Sequence, residues 1–271
     1  MIHLIYEVKL VMNKIIYICE DSIEGIFTAV YDAYSAVLKH ETTHENIEII
    51  AGEIENYSMF CEYKNIDTSK EKALKVSKTV CDKMGYRTYE SLFYASTCDD
   101  AKKATSIYMT IVQAFMLRDS YKIMDLWTND NVQHVLELYR KAKNEFGRWR
   151  EFLQFRELAN GVLYSCIGPD CDILPLLAPH FENRLPNENF MIHDEIRDYF
   201  LVHEKGKKTV IVSGEYFNSN RNVFKEYSEN DIIICELFRE FTKTIAIKER
   251  TNLKLQQQLM PLRIQNYKIE F

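Results

Sequence analysis

The segment His180-Phe181-Glu182-Asn183-Arg184 contains an ionisable ring and a cation four residues apart, a combination that can serve acid–base catalysis or anion binding. In a helix, His180 and Arg184 would share one face, because they are an i, i+4 pair. Pro179 lacks a backbone N–H donor, so we expect a helix to begin or kink there, with the His180 ring near a helix N-terminus that attracts anions. His180 is therefore either an acid–base or anion-stabilising group or, as the alternative, a surface residue or a hydrogen-bonded structural residue.

Cys166 and Cys171, with His180 and His193 farther along the chain, are residue types that ligate zinc. The two cysteines are not closely spaced, no second close pair follows, and the two histidines belong to separate predicted elements. Because free cysteines are commonly small buried hydrophobic residues, we expect no metal site. The sequence also lacks G-x-G-x-x-G, P-loop, G-x-S-x-G and H-E-x-x-H motifs, so we predict no cofactor.

Two predicted strands carry charged residues among apolar ones. Arg156 lies between Phe155 and Leu158 and is either an internal ion-pair partner or a phosphate clamp. Asp194 follows His193 directly. Because adjacent residues of a strand point to opposite faces, we do not expect Asp194 to orient the His193 ring.

The C-terminal segment is basic, although the formal net charge of the chain is -6. Residues 239–271 contain seven bases and three acids, whereas residues 41–67 contain seven acids and one lysine. A local basic face can bind phosphates in a protein of negative net charge, and the alternative is a solvated helix surface. The acidic region would suit docking to a basic partner.

Composition indicates a reducing compartment. The chain has 271 residues and seven cysteines, an odd number at irregular spacing, which argues against a disulfide framework and predicts a cytoplasmic protein. No stretch approaches the roughly 20 apolar residues of a membrane helix, so we expect no membrane partner. Met12-Asn13-Lys14 resembles a second start, which makes residues 1–11 a candidate upstream extension.

Periodicity predicts the elements that must position these side chains. Strands at 14–19 and 47–51 flank an N-terminal helix, and the pattern from 68 to 146 is helical. After Gly147 the period changes. Residues 152–167 then predict an antiparallel hairpin that turns at Asn160-Gly161, because this pair supplies positive φ.

A short helix at 173–184, strands at 190–194, 199–203 and 209–213, and a final helix at 232–246 complete the pattern. We therefore predict an α+β fold with an antiparallel sheet in the C-terminal half, packed with a helical middle region, plus an N-terminal strand–helix unit. Residues 12–271 would form one α+β domain, with an N-terminal subdomain at 12–95 and a main body at 96–271.

Three segments together resemble a bacterial family described only in terms of DNA metabolism or DNA repair. The segments are 17–34 with Glu-Gly-Ile-Phe-Thr-Ala-Val, 151–184 with Phe-Leu-Gln-Phe-Arg-Glu-Leu and His-Phe-x-x-Arg, and 247–263 ending in Met-Pro-x-Arg. Two positions depart from the family. Gln154 stands where the family carries a basic residue, and Ile264-Gln265 replaces an aromatic pair, so base stacking would either fall to Tyr267 or be absent.

The resemblance implies a DNA-associated protein of a repair or modification system, encoded beside a radical S-adenosylmethionine protein and in some relatives joined to a uracil-DNA-glycosylase-like domain. We therefore predict DNA binding through the basic C-terminal face, with action on a damaged base. His180 is the candidate catalytic residue. The candidate DNA-binding residues are Arg156, Arg184, Lys248, Arg250, Asn252, Lys254 and Arg263.

The alternative is an accessory protein without catalysis, which delivers substrate to the radical S-adenosylmethionine enzyme or stabilises it. The two hypotheses differ in the arrangement of three side chains. A catalytic protein should have a concave pocket that joins His180, Arg156 and Arg184, whereas an adaptor should hold them in internal ion pairs.

Overall fold

The computed structural model describes residues 14–54, 57–219 and 221–269. The chain divides into two compact units, of which unit one ends at Lys143 and unit two begins at Asn144. The proposed extension at 1–11 lies outside the described residues. The predicted subdivision into residues 12–95 and 96–271 stays a prediction.

Unit one is built on a parallel three-stranded sheet with the strand order β2-β1-β3. Strand β1 is an isoleucine-rich run with little exposure, as is typical of a parallel strand covered on both faces. The Ser22 side chain accepts a hydrogen bond from the backbone N–H of Gly25 and begins α1. The elements are β1 (Lys14–Cys19), α1 (Ile23–Leu38), β2 (Ile47–Ala51), β3 (Cys61–Asn65), α2 (Lys70–Met84), α3 (Tyr86–Ser96) and α4 (Lys103–Met116).

Unit two contains a five-stranded sheet with the order β4-β5-β6-β7-β8. Its neighbours are antiparallel except β5 and β6, which are parallel because a helical crossover joins them. The α+β prediction is confirmed, and the parallel pair is a feature that the sequence pattern did not indicate. The elements are α5 (Asp130–Phe152, which begins in unit one), β4 (Arg156–Glu157), β5 (Leu163–Ile167), α6 (Leu174–Arg184), β6 (Phe190–Asp194), β7 (Tyr199–His203), β8 (Val210–Ser213), α7 (Glu229–Ile245), α8 (Leu253–Leu259) and α9 (Leu262–Gln265).

The predicted hairpin is present, with a first arm shorter than expected. Strands β4 and β5 pair antiparallel, and Gly161 adopts a φ of 81° in the turn. Helix α5, however, continues through Gly147 to Phe152. Ala142 and Trp149 are both buried, so one apolar stripe runs past the glycine, and packing outweighs the roughly 1 kcal/mol that glycine costs in a helix.

The two faces of the unit-two sheet carry different side chains, because alternate residues of a strand point to opposite sides. One face holds Tyr164 and Phe200 and is covered by Phe224 in a short helical turn. The other face holds Phe190, which packs edge-on against Phe181 of α6. Helix α6 and the short helical turns that follow β8 therefore lie on opposite faces of this sheet.

Two glycines should respond to alanine with opposite signs. Gly161→Ala places a side chain at positive φ and should cost roughly 1 kcal/mol of unfolding free energy. Gly147→Ala lies in α5 with no atom within 4 Å of an added Cβ, and should stabilise by about 0.5–1 kcal/mol. Urea unfolding of both variants measures the difference. Destabilisation by Gly147→Ala would contradict the continuous helix.

Candidate functional site

A cavity of about 230 Å³ opens in unit two beside β4 and β5. We call it the cationic cavity, because three of the residues that line it are cations and none of the described lining residues is acidic. This lining suits an anionic ligand that also offers a ring for stacking. Its functional side chains are three cations, three tyrosines and one thiol: Arg156, Arg239, Lys268, Tyr164, Tyr227, Tyr267 and Cys166.

Arg156 is held at the cavity by a buried carboxylate. Its Nε and Nη2 donate to Oδ2 of Asp231 at 2.9 and 2.7 Å, and Oδ1 of Asp231 accepts from the backbone N–H of Glu157 at 2.9 Å. The guanidinium also lies 3.5 Å from the centre of the Tyr227 ring. Of the two interpretations of Arg156, the structure contains the internal ion pair, and the guanidinium plane still lines the cavity.

The last described residues form one wall of the cavity. The backbone N–H of Ile269 donates to Oε1 of Gln154 at 3.0 Å, and Nε of Arg239 donates to the Ile269 carbonyl at 2.8 Å. The Tyr267 hydroxyl donates to Glu195. Three contacts thus attach the C-terminal segment to the loop before β4, to α7 and to the turn after β6.

A chain of hydrogen bonds connects the carboxylate of Asp198, through the His193 ring, to the cavity. Asp198 accepts from Nε2 of His193 at 3.1 Å and from Arg221 at 2.6 Å. Because the carboxylate engages Nε2, the other ring nitrogen, Nδ1, is left as an acceptor. Nδ1 lies 3.1 Å from the Tyr164 hydroxyl and 3.9 Å from Sγ of Cys166, both of which line the cavity.

The environment of Asp198, His193 and Cys166 sets the protonation state of each side chain. Burial lowers the pKa of His193, and this effect exceeds the opposing hydrogen bond to Asp198. The hydrogen bond from Arg221 lowers the pKa of Asp198. Burial, together with the nearby charge of Glu195, raises the pKa of Cys166 to about 12. At neutral pH the site therefore contains an ionised Asp198, a neutral His193 and a protonated thiol.

Asp198 is a residue that the sequence interpretation missed. The expectation that Asp194 would not orient His193 agrees with the structure, since Asp194 is buried and pairs with Arg197 at 3.2 Å instead. Asp198 lies in the turn between β6 and β7 at a φ of 54°, which aspartate tolerates better than most residues. An acid in a short turn next to a histidine-bearing strand was the available signal.

The expectation of a helix N-terminus at His180 is wrong. Helix α6 begins at Leu174, with Pro175 in the first turn, where no donor is required, and Pro179 lies inside the helix. Nε2 of His180 is buried and has no hydrogen-bond partner among the described residues. Burial, with Arg150 and Arg184 nearby, lowers the pKa of His180.

His180 and Arg184 do not line the cationic cavity. They belong to α6, whose Phe181 packs on the opposite face of the sheet from Tyr164. Of the three residues, the cationic cavity is therefore lined by Arg156 and not by His180 or Arg184. Arg184 is exposed, and its charge acts on His180 from the same helix.

Arg263 has internal partners within unit two. It forms ion pairs with Glu145 and Asp170. Glu145 is almost fully buried and also accepts from the backbone N–H groups of Asp170 and Cys171 at 2.9 and 2.8 Å. This network ties the C-terminal segment to α5.

The remaining candidates of the basic tail differ in their surroundings. Oδ1 of Asn252 accepts from the backbone N–H of Leu255 at 3.1 Å and caps α8. Arg250 and Lys254 are exposed and make no ion pair with a described residue. The side chain of Lys248 lies outside the part that the structure describes.

Neither metal-binding groups nor membrane spans were found in the described parts of the chain. Across residues 14–54, 57–219 and 221–269, the ligating residue types form no group of three that could hold a metal. No helix within those same ranges combines the length and apolar character needed to cross a bilayer.

The chain matches the model of a known protein family. The family described as a domain of unknown function, DUF4130, matches residues 101–270. The matched range includes all of unit two except its last residue. No curated protein matches the chain.

Loss of Arg263 should lower stability. Arg263→Ala leaves the buried carboxylate of Glu145 without its guanidinium partner and should cost about 1–3 kcal/mol in urea unfolding. Lys254→Ala, which removes an exposed cation of the same segment, should stay within about 0.5 kcal/mol of the unaltered protein. Similar losses in the two variants would remove the structural role of Arg263.

We expect His193 to be neutral at neutral pH, with its proton on Nε2, as nitrogen chemical shifts will show. Because burial lowers its pKa, the stability gained from neutral His193 is present above about 6.5 and is lost as the pH falls. Asp198→Asn should change the tautomer ratio, whereas Glu204→Gln on an exposed turn should not. A His193 that is charged at neutral pH would contradict this assignment.

Proposed function

The chain belongs to the DUF4130 family, whose function is unknown, and we propose that it is a DNA-binding protein of a repair or modification system. One nucleotide enters the cationic cavity, and exposed cationic side chains of the C-terminal segment contact neighbouring phosphates. The observation that carries the proposal is the cavity lining, in which three cations and three tyrosines occur without an acidic residue.

The size of the cavity favours a small ligand group. Its volume of about 230 Å³ is below the roughly 300–1,000 Å³ of pockets that enclose drug-sized ligands. A single base or phosphate group fits this size better than a complete dinucleotide cofactor. Enzymes that act on bases turn the target nucleotide out of the helix into such a pocket, and aromatic side chains stack against it.

The geometry of Arg156 also supports a flat, anionic ligand. Asp231 holds the guanidinium on the Tyr227 ring, so its plane is oriented before any ligand arrives. Arg239 uses Nε for the Ile269 carbonyl, and its terminal nitrogens make no hydrogen bond to a described residue. Prior orientation reduces the entropy lost when a ligand binds.

The exposed tail cations supply the sequence-independent part of the interaction. Arg250 and Lys254 have no internal ion pair among the described residues, so a phosphate can bind them without breaking a contact. In this proposal Arg263 holds the segment in place, and Asn252 starts α8.

An accessory protein for a radical S-adenosylmethionine enzyme is the second candidate function. Helix α7 favours it, because one stripe of this helix bears four apolar side chains that are each more than half exposed. The four are Ile233, Leu237, Phe241 and Ile245. Exposed apolar patches of this kind mark protein–protein contacts. The identity of the partner rests on the sequence resemblance alone.

Removal of the tail cations should weaken the salt dependence of DNA binding. The double variant Arg250→Ala/Lys254→Ala should flatten the slope by about 1.8 log units per log unit of salt, since each duplex contact contributes about 0.9. The matched control is Lys205→Ala/Lys208→Ala, which removes two exposed charges from the turn before β8. Fluorescence anisotropy with labelled duplex and single-stranded DNA gives the slopes.

An equal slope in both double variants would remove the tail from the DNA-binding surface. Complete absence of DNA affinity at low salt would overturn the proposal and favour the accessory function. That alternative would then be tested by co-purification with the radical enzyme, with Leu237→Glu/Phe241→Glu as the variant expected to lose the partner.

A further inference from the structure

We propose that Cys166 is the nucleophile of an alkyl-transfer reaction, activated by His193 and Asp198, on an O-alkylated nucleotide bound in the cationic cavity. The inference rests on the proposed function, because DNA supplies the substrate. It adds a reaction, a substrate class and three residue roles that DNA binding alone does not require.

Strand pairing positions the thiol beside its base. Cys166 of β5 and His193 of β6 are directly paired in the parallel register, so their side chains project from the same face of the sheet. Sγ lies 3.9 Å from Nδ1 of His193, and Nε2 of the same ring is held by Asp198 at 3.1 Å. Nucleophile, base and orienting carboxylate thus occur in the order that activated thiols and hydroxyls require.

Two further groups shift the pKa of the Cys166 thiol in opposite directions. The Tyr164 hydroxyl can donate to a thiolate and lowers the pKa of Cys166, whereas Oε2 of Glu195, which accepts from the resting thiol at 3.5 Å, raises it. Glu195 is itself held by the Tyr267 hydroxyl. Without a ligand the thiol therefore keeps its proton, which protects it from oxidation.

The chemical step balances without a further reactant. A lone pair of Sγ attacks the alkyl carbon, the S–C bond forms, and the C–O bond breaks with its electron pair passing to oxygen. The thiol proton moves to Nδ1 of His193. A phosphate oxygen keeps the negative charge, whereas a base oxygen yields an anion that takes a proton back from His193 or solvent.

The cationic lining stabilises the transition state of this step more than it stabilises the bound substrate. The leaving oxygen gains negative charge as the C–O bond breaks, and guanidinium groups at the cavity, such as that of Arg239, stabilise such charge in the transition state. A thiolate of high pKa is also a stronger nucleophile than one of low pKa. The product is a stable thioether, so each protein molecule reacts once.

The test uses the full chain and two DNA duplexes. One carries a guanine methylated on its carbonyl oxygen, and the other carries a methyl group on one phosphate oxygen. We expect intact-mass spectrometry to find one added methyl group per chain with one of the duplexes, and peptide mapping to locate it on Cys166. The duplex that reacts identifies a base or a phosphate as the methyl donor.

Variants assign the roles. Cys166→Ser, or Cys166→Ala if the serine variant does not fold, should accept no methyl group. His193→Ala and Asp198→Asn should slow the transfer by on the order of 100-fold. The control Cys81→Ser removes a partly buried thiol outside the cavity and should leave the rate unchanged.

A second readout separates activation from structure. Iodoacetamide should modify Cys166 more slowly in His193→Ala and more rapidly in Glu195→Gln, because the latter removes the charge that opposes thiolate formation. A purely structural role would not give changes of opposite sign at one thiol.

The outcomes distinguish the two proposals. DNA binding without methyl transfer from either duplex would overturn the nucleophile and leave the DNA-binding function in place. Methyl acceptance by the folded Cys166 variant would also overturn it. Absence of binding to any duplex would overturn both proposals together.

Discussion

The parallel pairing of β5 with β6 is the constraint on which the candidate site depends. It sets Cys166 opposite His193 and directs both side chains to the face that bears the cationic cavity. A parallel pair also requires a crossover, and α6 supplies it on the other face. The same constraint therefore assembles the thiol and its base and separates them from His180.

Buried carboxylates hold the segments that surround this sheet. Asp231 and Glu145 lie 75 and 118 residues from the arginines that they bind, and each also accepts from at least one backbone N–H group. Removal of a partner from such a carboxylate is costly, because the charge would remain out of water. The carboxylates therefore fix the cavity wall and the C-terminal segment, and they form ion pairs with two of the cations that the sequence assigned to DNA.

The cationic side chains of unit two thus differ in their partners: some form internal ion pairs, and others are exposed. Arg156 and Arg263 are bound internally, whereas Arg250 and Lys254 are exposed. The sequence could rank these residues only by type and local excess of charge, and both properties are the same for a paired and an unpaired arginine. Pairing depends on which carboxylate the fold brings within reach.

The sequence by itself determined the features that depend on neighbouring residues. Periodicity located most helices and strands, and Asn160-Gly161 located the hairpin turn, because both signals are local. Only the tertiary structure decided the parallel pair, the orientation of His193 by Asp198 and the partners of the buried arginines. These features depend on strand order and on contacts between distant segments, and no spacing along the chain encodes which distant group will be near.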